Sequence, residues 1–562
     1  MDKDNRRRVP AGTAGSRVMT KRSAMTKTIA FSGLHYFDPG WIVDTQETLR
    51  ADVCVYGATA GGVVAAVKAA RLGKRVVLLQ PGRHLGGLTS GGLGWTDHGK
   101  KHVIGGMARQ FYCDVGRAYG KAEEWYFEPH VAEAVMQRMV AEARVPVRFC
   151  QYLDRVTMDG RRIGAVTMLG GLRVEAAMFI DATYEGDLMA KAGVSYTVGR
   201  EGNAQYGETL NGVQIRTHHQ FSHPVDPFVI AGDPRSGLLP SILDEDYSQR
   251  IGAGDRRIQA YCFRMCMTDD PALKIDWPRP AGFDARRYEL ATRWINGEFD
   301  DFNDQFPGYD DRHPDVPKKF DVLPNKTPGG FYKTDTNNHG AVSSDFIGEN
   351  HDWPEADYVA RERIFQRHFE YQCGYYWHVA NTPEIPMRYR RAYARWGIPN
   401  DEFVDTGHWP HQLYVREARR MVGDAVLTEH DCRLDHRAED PVGMGSYAMD
   451  SHNCSRFVRR EDGRARVMNE GDVSVEVPGP YGVSYRSIVP RRGECENLLV
   501  PLCLSASHIA YGSVRMEPAF MVLGESAAVA AVLALDAGCA VQAVDYGKLR
   551  GQLVADGQIL AV

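Results

Sequence analysis

Apolar and polar positions follow a strand, helix, strand order between residues 51 and 80. The run DVCVY at 52–56 is short and apolar, as in a buried strand, and RVVLL at 75–79 is a second such run. Between them, residues 63–73 have helical spacing and end at Gly73, a residue type common at helix C-termini. A glycine-rich turn joins the first strand to the helix. This order predicts a βαβ unit, in which a pyrophosphate rests on the helix N-terminus.

Residues 131–187 continue the pattern with a helix and a set of β-rich pieces. Residues 131–145 have helical spacing, and 147–180 consist of short alternating runs separated by a DG turn and a GG turn. These turns predict a small antiparallel meander. It ends in FIDATYEGD at 179–187, an apolar strand that runs into a polar loop.

The rest of the chain consists of a middle region of different composition and a C-terminal region that again has the strand and helix pattern. Residues 200–470 are rich in His, Trp, Tyr, Pro and Asp, and their best predicted helices are 355–380 and 411–427. Residues 496–507 predict a strand and loop, and 517–538 predict a small-residue helix that packs closely on a sheet. We therefore predict an α/β fold whose cofactor domain is split in sequence around a large mixed α+β substrate domain. The predicted units are a partly disordered extension at 1–50, a cofactor-binding part at 51–199, a substrate or cap domain at 200–470 and a second cofactor-binding part at 471–562.

Composition permits a large enclosed site and argues against polyanion binding. The chain has 562 residues, 43% of them hydrophobic, which favours two closely packed domains. A net charge of −5 with mixed signs predicts no nucleic-acid partner. Eleven cysteines without dense pairing predict reduced thiols and a cytoplasmic protein. The first 27 residues are basic and polar and predict a disordered leader, and we expect no membrane-spanning stretch.

The glycine turn departs from the GxGxxG fingerprint at one position. Gly57 and Gly62 match the first and third glycines, but Thr59 stands where the second lets the backbone approach a pyrophosphate. We expect the loop to move outward slightly and the Thr59 hydroxyl to bond a phosphate oxygen. Gln80 replaces the acidic residue that usually binds the adenosine ribose, which weakens this contact without removing it. Alone, the loop is equally compatible with an ordinary βα turn.

The segment PGRHLGGLTSGGLG at 81–94 favours the cofactor interpretation. An Arg followed by a glycine pair, here Arg83 with Gly86 and Gly87, resembles the additional signature of FAD-binding folds of the glutathione-reductase type. The run from Thr89 to Gly94 would then form a backbone-rich loop near the pyrophosphate and the flavin. The alternative is a flexible surface loop.

Four segments, 57–97, 179–201, 409–424 and 498–528, together resemble the bacterial FAD-dependent oxidoreductases of the glutathione-reductase-like flavoprotein group. The resemblance runs from about Ala51 to the end of the chain. It implies a glutathione-reductase-like Rossmann domain with FAD as cofactor, and many such proteins are encoded near carbohydrate-catabolic genes. The residues that it places at the cofactor are Gly57, Thr59, Ala60, Gly62, Gln80, Arg83, Gly86, Gly87, Thr89, Gly91, Asp181, Ala182, Met516 and Glu517.

A flavin dehydrogenase needs a base for the proton that leaves the substrate. The resemblance places the loop SASHIAYGSVRMEP beside the flavin, so His508 is the first candidate for this base, against a structural histidine. Arg515 could hold substrate or the negative charge of the reduced flavin, although an ion pair with Glu517 is an equal alternative. Candidate substrate contacts are Ser507, Tyr511, Asn338 and His339, and His411 is a third candidate catalytic residue; each could instead make structural hydrogen bonds.

Metal binding is not predicted. His218, His219 and His223 are close in sequence, but adjacent histidines usually point apart and no acidic residue completes the set locally. Arg416, Arg419 and Arg420 fit an ion-pair lattice between domains better than a clamp for an acidic substrate.

The predicted activity is removal of hydride from a hydroxyl-bearing carbon of a sugar, polyol or glycoside. Three alternatives stay open: oxidation of an amine or amino acid, a lyase or isomerase that oxidises its substrate transiently, and a binding protein with structural FAD. The electron acceptor, the oligomeric state and covalent attachment of the flavin are not fixed by the sequence.

Overall fold

The computed structural model describes residues 31–297, 309–310, 313–317 and 321–562. The predicted disordered leader lies outside these residues, as does most of the N-terminal extension. Helices α1 to α12 span Ala60–Arg71, Gly106–Ala118, Pro129–Glu142, Asp187–Lys191, Asn203–Tyr206, Glu289–Asn296, Tyr358–Asn381, Met387–Arg395, Glu429–Cys432, His508–Val514, Glu517–Ala537 and Tyr546–Ala555.

The strands of the described residues lie in one large sheet and several small ones. Strands β1 to β22 span Thr48–Tyr56, Val76–Leu79, Val147–Arg148, Leu153–Asp159, Arg162–Met168, Arg173–Asp181, Tyr196–Val198, Met265–Thr268, Lys274–Ile275, Tyr309–Asp310, His313–Pro317, Asp321–Lys326, Tyr332–Thr336, Ile398–Pro399, Arg419–Met421, Pro441–Gly445, Met449–Ser451, Ser455–Glu461, Arg464–Glu470, Val473–Val475, Tyr481–Ser484 and Leu498–Leu499.

The large sheet is parallel at its centre and confirms the predicted βαβ unit. Its order is β3-β2-β1-β6-β5-β4, and β22 also pairs with β6. Strands β3, β2, β1, β6 and β22 pair in parallel, whereas β4, β5 and β6 form the predicted antiparallel meander. The carboxyl ends of β1, β2 and β6 therefore meet at one edge of the sheet, where ligands bind in folds of this kind.

Helix α11, the second-last described α-helix, packs on α1 through a backbone contact that two glycines permit. A Cβ on Gly61 would lie 2.6 Å from the Phe520 carbonyl oxygen, and a Cβ on Gly524 would lie 2.2 Å from the Gly61 carbonyl oxygen. The two helices thus approach more closely than larger side chains allow. This contact and the β22–β6 pairing join the C-terminal residues to the N-terminal sheet.

The middle region combines the small sheets with the long helix α7. The predicted helix at 355–380 is confirmed as α7, Tyr358–Asn381. The predicted helix at 411–427 is wrong: residues 412–418 lack helix and Arg419–Met421 form strand β15, paired with β7. The apolar spacing that suggested a helix instead reflects a chain buried on all sides, with Arg416 and Arg420 held in ion pairs.

Among the described helices, one has the length and apolar composition of a membrane span, contrary to the sequence-based expectation of none. This helix is α11, and 83% of its most apolar window is buried inside the fold.

Candidate functional site

A cavity lies at the carboxyl edge of the parallel sheet and holds about 760 Å³ of space between atoms, part of it open to solvent. Its floor is the turn after β1, and its walls come from the end of β2, the turn after β6 and two segments from elsewhere in the chain. The lining residues include Gly57, Thr59, Gln80, Arg83, Gly87, Tyr184 and His411. Several predicted cofactor residues are thus brought together around one space.

The glycine turn leaves no room for side chains at its first and third glycines. Gly57 has a φ of 96°, and a Cβ there would lie 2.7 Å from the backbone of Ala182. A Cβ on Gly62 would lie 1.9 Å from the Gly57 carbonyl oxygen. Helix α1 begins at Ala60, directly after the turn residues Gly57 and Thr59 that line the cavity. The first N–H groups of a helix lack intrahelical partners, which is what an anion site at this position requires.

Thr59 supports the turn from inside. Its hydroxyl donates to the Ala182 carbonyl at 2.8 Å and accepts from the Gly62 amide at 3.2 Å, which caps α1. Because its one hydrogen is used on Ala182 in this structure, the hydroxyl has none to offer a phosphate, and the expected phosphate contact stays a prediction. Capping is the ordinary role of Thr at a helix N-terminus.

Gln80 is at the end of β2 and lines the cavity. Its Oε1 accepts from the Ala58 amide at 2.7 Å, so the side chain is tied to the glycine turn. The amide oxygen thereby fixes the loop while the side chain remains at the cavity wall.

The Gly86–Thr89 segment is tied to the start of α11. A Cβ on Gly87 would lie 2.4 Å from the Tyr184 hydroxyl oxygen. Thr89 and Tyr184 each donate to the Glu517 carboxylate at 2.7 Å. Burial raises the pKa of Glu517 to about 7, although these two hydrogen bonds oppose the rise. Asp181 instead accepts from Thr183 and Met189 within the turn after β6, where burial raises its pKa to about 6.

His84 and His411 form a pair of stacked rings at the cavity wall. Burial opposes protonation of His84, but Asp405 and Glu133 outweigh it and raise the pKa of His84 to about 9. Burial and the charge of His84 hold the pKa of His411 well below its usual value. Both ring nitrogens of His411 are buried, and neither has a hydrogen-bond partner among the described residues.

These features fit a bound dinucleotide. A Cβ on Gly57 or Gly62 would collide with neighbouring backbone atoms, so the turn that lines the cavity keeps this shape only with glycine at both positions. The ring nitrogens of His411 lie in the same lining and have no hydrogen-bond partner among the described residues. Such groups are costly to bury unless a ligand satisfies them.

A second cavity is lined in part by residues 95–100, which directly follow the glycine run at 86–94. It holds about 870 Å³ of space between atoms, part of it open to solvent. Trp95 and Tyr126 stack at its wall with centroids 3.9 Å apart. Asp97, Asp450 and Glu476 outnumber the one lysine of the lining, Lys100, and give it an acidic character. A smaller adjoining cavity is lined by Met516 and Pro518, and shares His98, Ser446 and Tyr447 with this one.

Asp97 and Asp450 occupy the same cavity but differ in their electrostatic surroundings. Burial raises the pKa of Asp97, and the negative charge of Asp450 raises it further. The Arg264 guanidinium, 3.5 Å from the Asp97 carboxylate, opposes this rise. Burial also disfavours ionisation of Asp450, but His452 and Arg515 hold its pKa below the usual range. Two carboxylates with pKa values pushed apart in one site are typical of acid–base chemistry.

The candidate catalytic histidine of the sequence analysis is enclosed by protein groups. His508 contacts Glu417 through Nδ1 at 2.7 Å and Ser451 through Nε2 at 3.0 Å, and is 1% exposed. Ser507 caps α10 and donates to Glu208. Tyr511, in the same helix, is also buried.

The other candidates lie in different surroundings. Arg515 donates to the Tyr414 hydroxyl and to Asp450, both at 2.8 Å, so it borders the second cavity. Asn338 is buried, and its Oδ1 has no hydrogen-bond partner in the described part of the chain. His339 contacts His219 ring to edge. Gly91 has no room for a Cβ, because Gln412 would lie 2.4 Å from it.

Sequence reasoning missed Asp97, Tyr126, Arg264, Tyr447 and Asp450. Asp97 could have been found, because WTDHG directly follows the glycine run that was assigned to the flavin. The others lie far from any motif and reach the cavity only through the fold.

Two groups among the described residues have ligand atoms close enough to hold a metal. His218 and His219 both contact Asp472, at 2.7 and 2.8 Å, so these adjacent histidines converge, contrary to the expectation that they point apart. The acidic partner is distant in sequence, and His223 is not in the group. In the second group, the Lys333 ammonium already sits between Glu128 and Glu402.

Comparison with known proteins identifies relatives of the chain. The profile of the family described as FAD dependent oxidoreductase matches residues 52–553. A thiamine thiazole synthase from Pyrococcus horikoshii is 27% identical over 218 residues, which are 35% of this chain and 85% of that protein.

Solved structures resemble a smaller part of the chain. A flavin-containing monooxygenase from Stenotrophomonas maltophilia is 20% identical, with a TM-score of 0.19 over 28% of this chain and 43% of that one. A flavoprotein/dehydrogenase from Cytophaga hutchinsonii is 17% identical, with a TM-score of 0.22 over 27% and 44%. The chain therefore spans less than half of each of these two structures.

Proposed function

The chain belongs to the FAD-dependent oxidoreductase family and is an enzyme with FAD as its cofactor, and we propose that it oxidises a hydroxyl-bearing carbon of a sugar, polyol or glycoside. The observation that carries this proposal is the acidic, aromatic-walled second cavity with its two unlike carboxylates. Aromatic faces stack on sugar rings, and carboxylates accept hydrogen bonds from hydroxyl groups.

We also propose that the chain is divided into a cofactor domain and a substrate domain. A glutathione-reductase-like cofactor domain would be formed by residues 51–199 and 471–562, with 200–470 inserted as the substrate domain. The pairing of β22 with β6 and the packing of α11 on α1 support this arrangement. Residues of the substrate domain, such as Arg264 and Asp450, then meet Asp97 of the cofactor domain at the second cavity.

Bound FAD would be held by the α1 N-terminus, the Gly86–Thr89 segment and His411, and it supplies the acceptor for the substrate hydride. Asp97 takes the proton of the substrate hydroxyl, because its raised pKa gives it a stronger proton affinity than an ordinary Asp. Tyr447 donates to Asp97 Oδ1 at 3.2 Å and holds this carboxylate in place. Asp450 stays ionised and accepts hydrogen bonds from other hydroxyl groups of the substrate.

Asp97 replaces His508 as the proposed proton acceptor. A base must reach the proton it removes, and both His508 nitrogens already contact Glu417 and Ser451. We assign His508 a positioning role, since it fixes the strand that carries Asp450 through Ser451. Arg515 likewise acts by orienting Asp450 rather than by binding a substrate carboxylate.

The test is anaerobic reduction of the flavin by a panel of neutral sugars, polyols, amines and amino acids. We expect neutral polyhydroxylated compounds to bleach the visible flavin band. Bleaching by amines alone would favour amine oxidation, because an acidic cavity also attracts ammonium groups. Product formation without an external acceptor would indicate a lyase or isomerase. Flavin that no compound reduces would indicate a binding protein.

A further inference from the structure

The segment of residues 33–41, which we name the N-terminal cover, forms one side of the first cavity. Gly33, His35, Tyr36 and Trp41 line this cavity together with the end of β2. The family match begins at residue 52, so the cover lies outside the part of the chain that defines the family. The family match therefore says nothing about its contribution to the cavity.

The cover is fixed to helix α7 by one carboxylate. Glu362 accepts from the amides of Tyr36 at 2.8 Å and Phe37 at 2.9 Å, and contacts His35 Nδ1 at 2.7 Å. One turn further along α7, Gln366 donates to the Leu34 carbonyl at 2.7 Å. These bonds set the path of the cover backbone across the cavity.

Packing holds the cover from the opposite side as well. Phe37 is buried with its ring edge against Tyr152, at a centroid distance of 4.8 Å. A Cβ on Gly33 would lie 2.0 Å from the Asp405 carbonyl oxygen, so the two backbones are in direct contact. An ordered segment of this kind has already lost the conformational freedom that ligand binding would otherwise remove.

The cavity face of the cover is aromatic and lies opposite the end of β2. The Arg83 guanidinium is 5.1 Å from the centroid of the Trp41 ring, and Gln80 and Arg83 line the same cavity. In dinucleotide-binding βαβ units, the residues after the second strand face the adenosine ribose. Trp41 and His35 therefore face the half of the cavity suited to adenosine diphosphate.

We propose that the N-terminal cover binds the adenosine diphosphate half of FAD. Trp41 and His35 supply the contacts, through an aromatic face and a ring nitrogen. Glu362 is a positioning residue, because it holds the cover without lining the cavity. Cofactor retention then depends on residues that the family match does not include.

The test compares FAD binding to apoprotein by fluorescence titration and by the rate of FAD release. We expect the double substitution of His35→Ala and Trp41→Ala to raise the Kd for FAD by about tenfold, mainly through faster release. Glu362→Gln should also speed release, by a smaller factor. The control is Val43→Ala, since Val43 is 76% exposed and lies outside the cavity lining.

The proposal is overturned if the double variant binds and releases FAD as the Val43→Ala protein does. Hydrogen exchange on the wild-type chain gives a second test that does not depend on variant folding. The amides of Tyr36 and Phe37 should exchange more slowly in the FAD-loaded protein than in apoprotein. Equal exchange in the two states would also overturn the proposal. Neither test uses the substrate, so both are independent of the proposed oxidation.

Discussion

His84 and His411 stack face to face, with ring centroids 3.8 Å apart and planes 9° from parallel. The pKa of about 9 means that His84 carries a proton at neutral pH, because Asp405 and Glu133 outweigh the effect of burial. Its neighbour His411 stays neutral and keeps two unsatisfied ring nitrogens at the cavity wall. A protonated ring is thus stacked on a neutral ring, and both residues line the first cavity.

Replacing His411 should separate cofactor binding from stability. His411→Phe keeps the aromatic stack and removes two unsatisfied polar atoms, so the apoprotein should be as stable as wild type or slightly more stable. Affinity for FAD should fall by about tenfold, since a hydrogen-bond partner is lost. Thermal unfolding of apoprotein and FAD titration measure the two effects. A large loss of apoprotein stability would show that His411 is structural instead.

The contact between α1 and α11 can be tested with one added methyl group. Gly61→Ala places a Cβ 2.6 Å from the Phe520 carbonyl oxygen and should destabilise the protein by about 1–3 kcal/mol. Gly551→Ala is the control, because no atom of the described residues lies within 4 Å of the added Cβ. Gly551 lies in helix α12 and does not have a positive φ, so alanine fits its backbone. It should be neutral or stabilise by about 0.5–1 kcal/mol. Denaturant unfolding distinguishes the two, and equal midpoints would contradict the close packing.

Thr59 should contribute more to the stability of the glycine turn than to binding of the FAD phosphates. Thr59→Val loses the α1 cap and the bond to Ala182, at a cost of about 1–2 kcal/mol in the free energy of unfolding. Thr59→Ser keeps the hydroxyl and should retain wild-type stability. The relevant measurement is denaturant unfolding of both apoproteins. If Thr59→Val instead leaves stability unchanged and weakens only FAD binding, the hydroxyl acts on the phosphate after all.

Glu517 should make apoprotein stability fall as the pH rises. Its pKa is about 7 when folded and near the ordinary 4.5 when unfolded, so unfolding releases a proton between these values. Stability contributed by the protonated form is therefore present below about pH 4.5 and is lost as the pH rises through about 7. Glu517→Gln should melt with a weaker dependence on pH across this window. Asp181 and Glu185 shift in the same direction but are common to both proteins, so they cancel in the comparison.

The parts of the fold that depend on local periodicity could be predicted from the sequence, and the site only in part. The βαβ unit, the meander and the C-terminal helix each carry their own pattern of apolar positions and turns. Gly57 and Gly62 carry a local signal because the backbone itself needs their small size. Residues 411–427 were predicted as helix because burial on all sides mimics helical spacing.

The second cavity could not be predicted because it is built from distant residues. Asp97 meets Arg264 and Tyr447 only when the middle region folds over the sheet. No pattern of residue positions in the sequence predicts contacts between residues so far apart in the chain. His508, by contrast, was chosen from its place in the chain, and its partner Glu417 is 91 residues away.

The central claim is that Asp97 takes the substrate proton, and the rate of anaerobic flavin reduction by a polyol tests it most directly. For wild type, the rate should rise with pH as Asp97 loses its proton, with a midpoint above the ordinary Asp pKa of about 3.9. Asp97→Asn should bind FAD normally but reduce it about 10²- to 10⁴-fold more slowly, without this pH dependence. Asp276→Asn is the matched control: this side chain is 86% exposed and lies outside the cavity lining, so the variant should match wild type. Equal rates and pH profiles for Asp97→Asn and wild type would contradict the account.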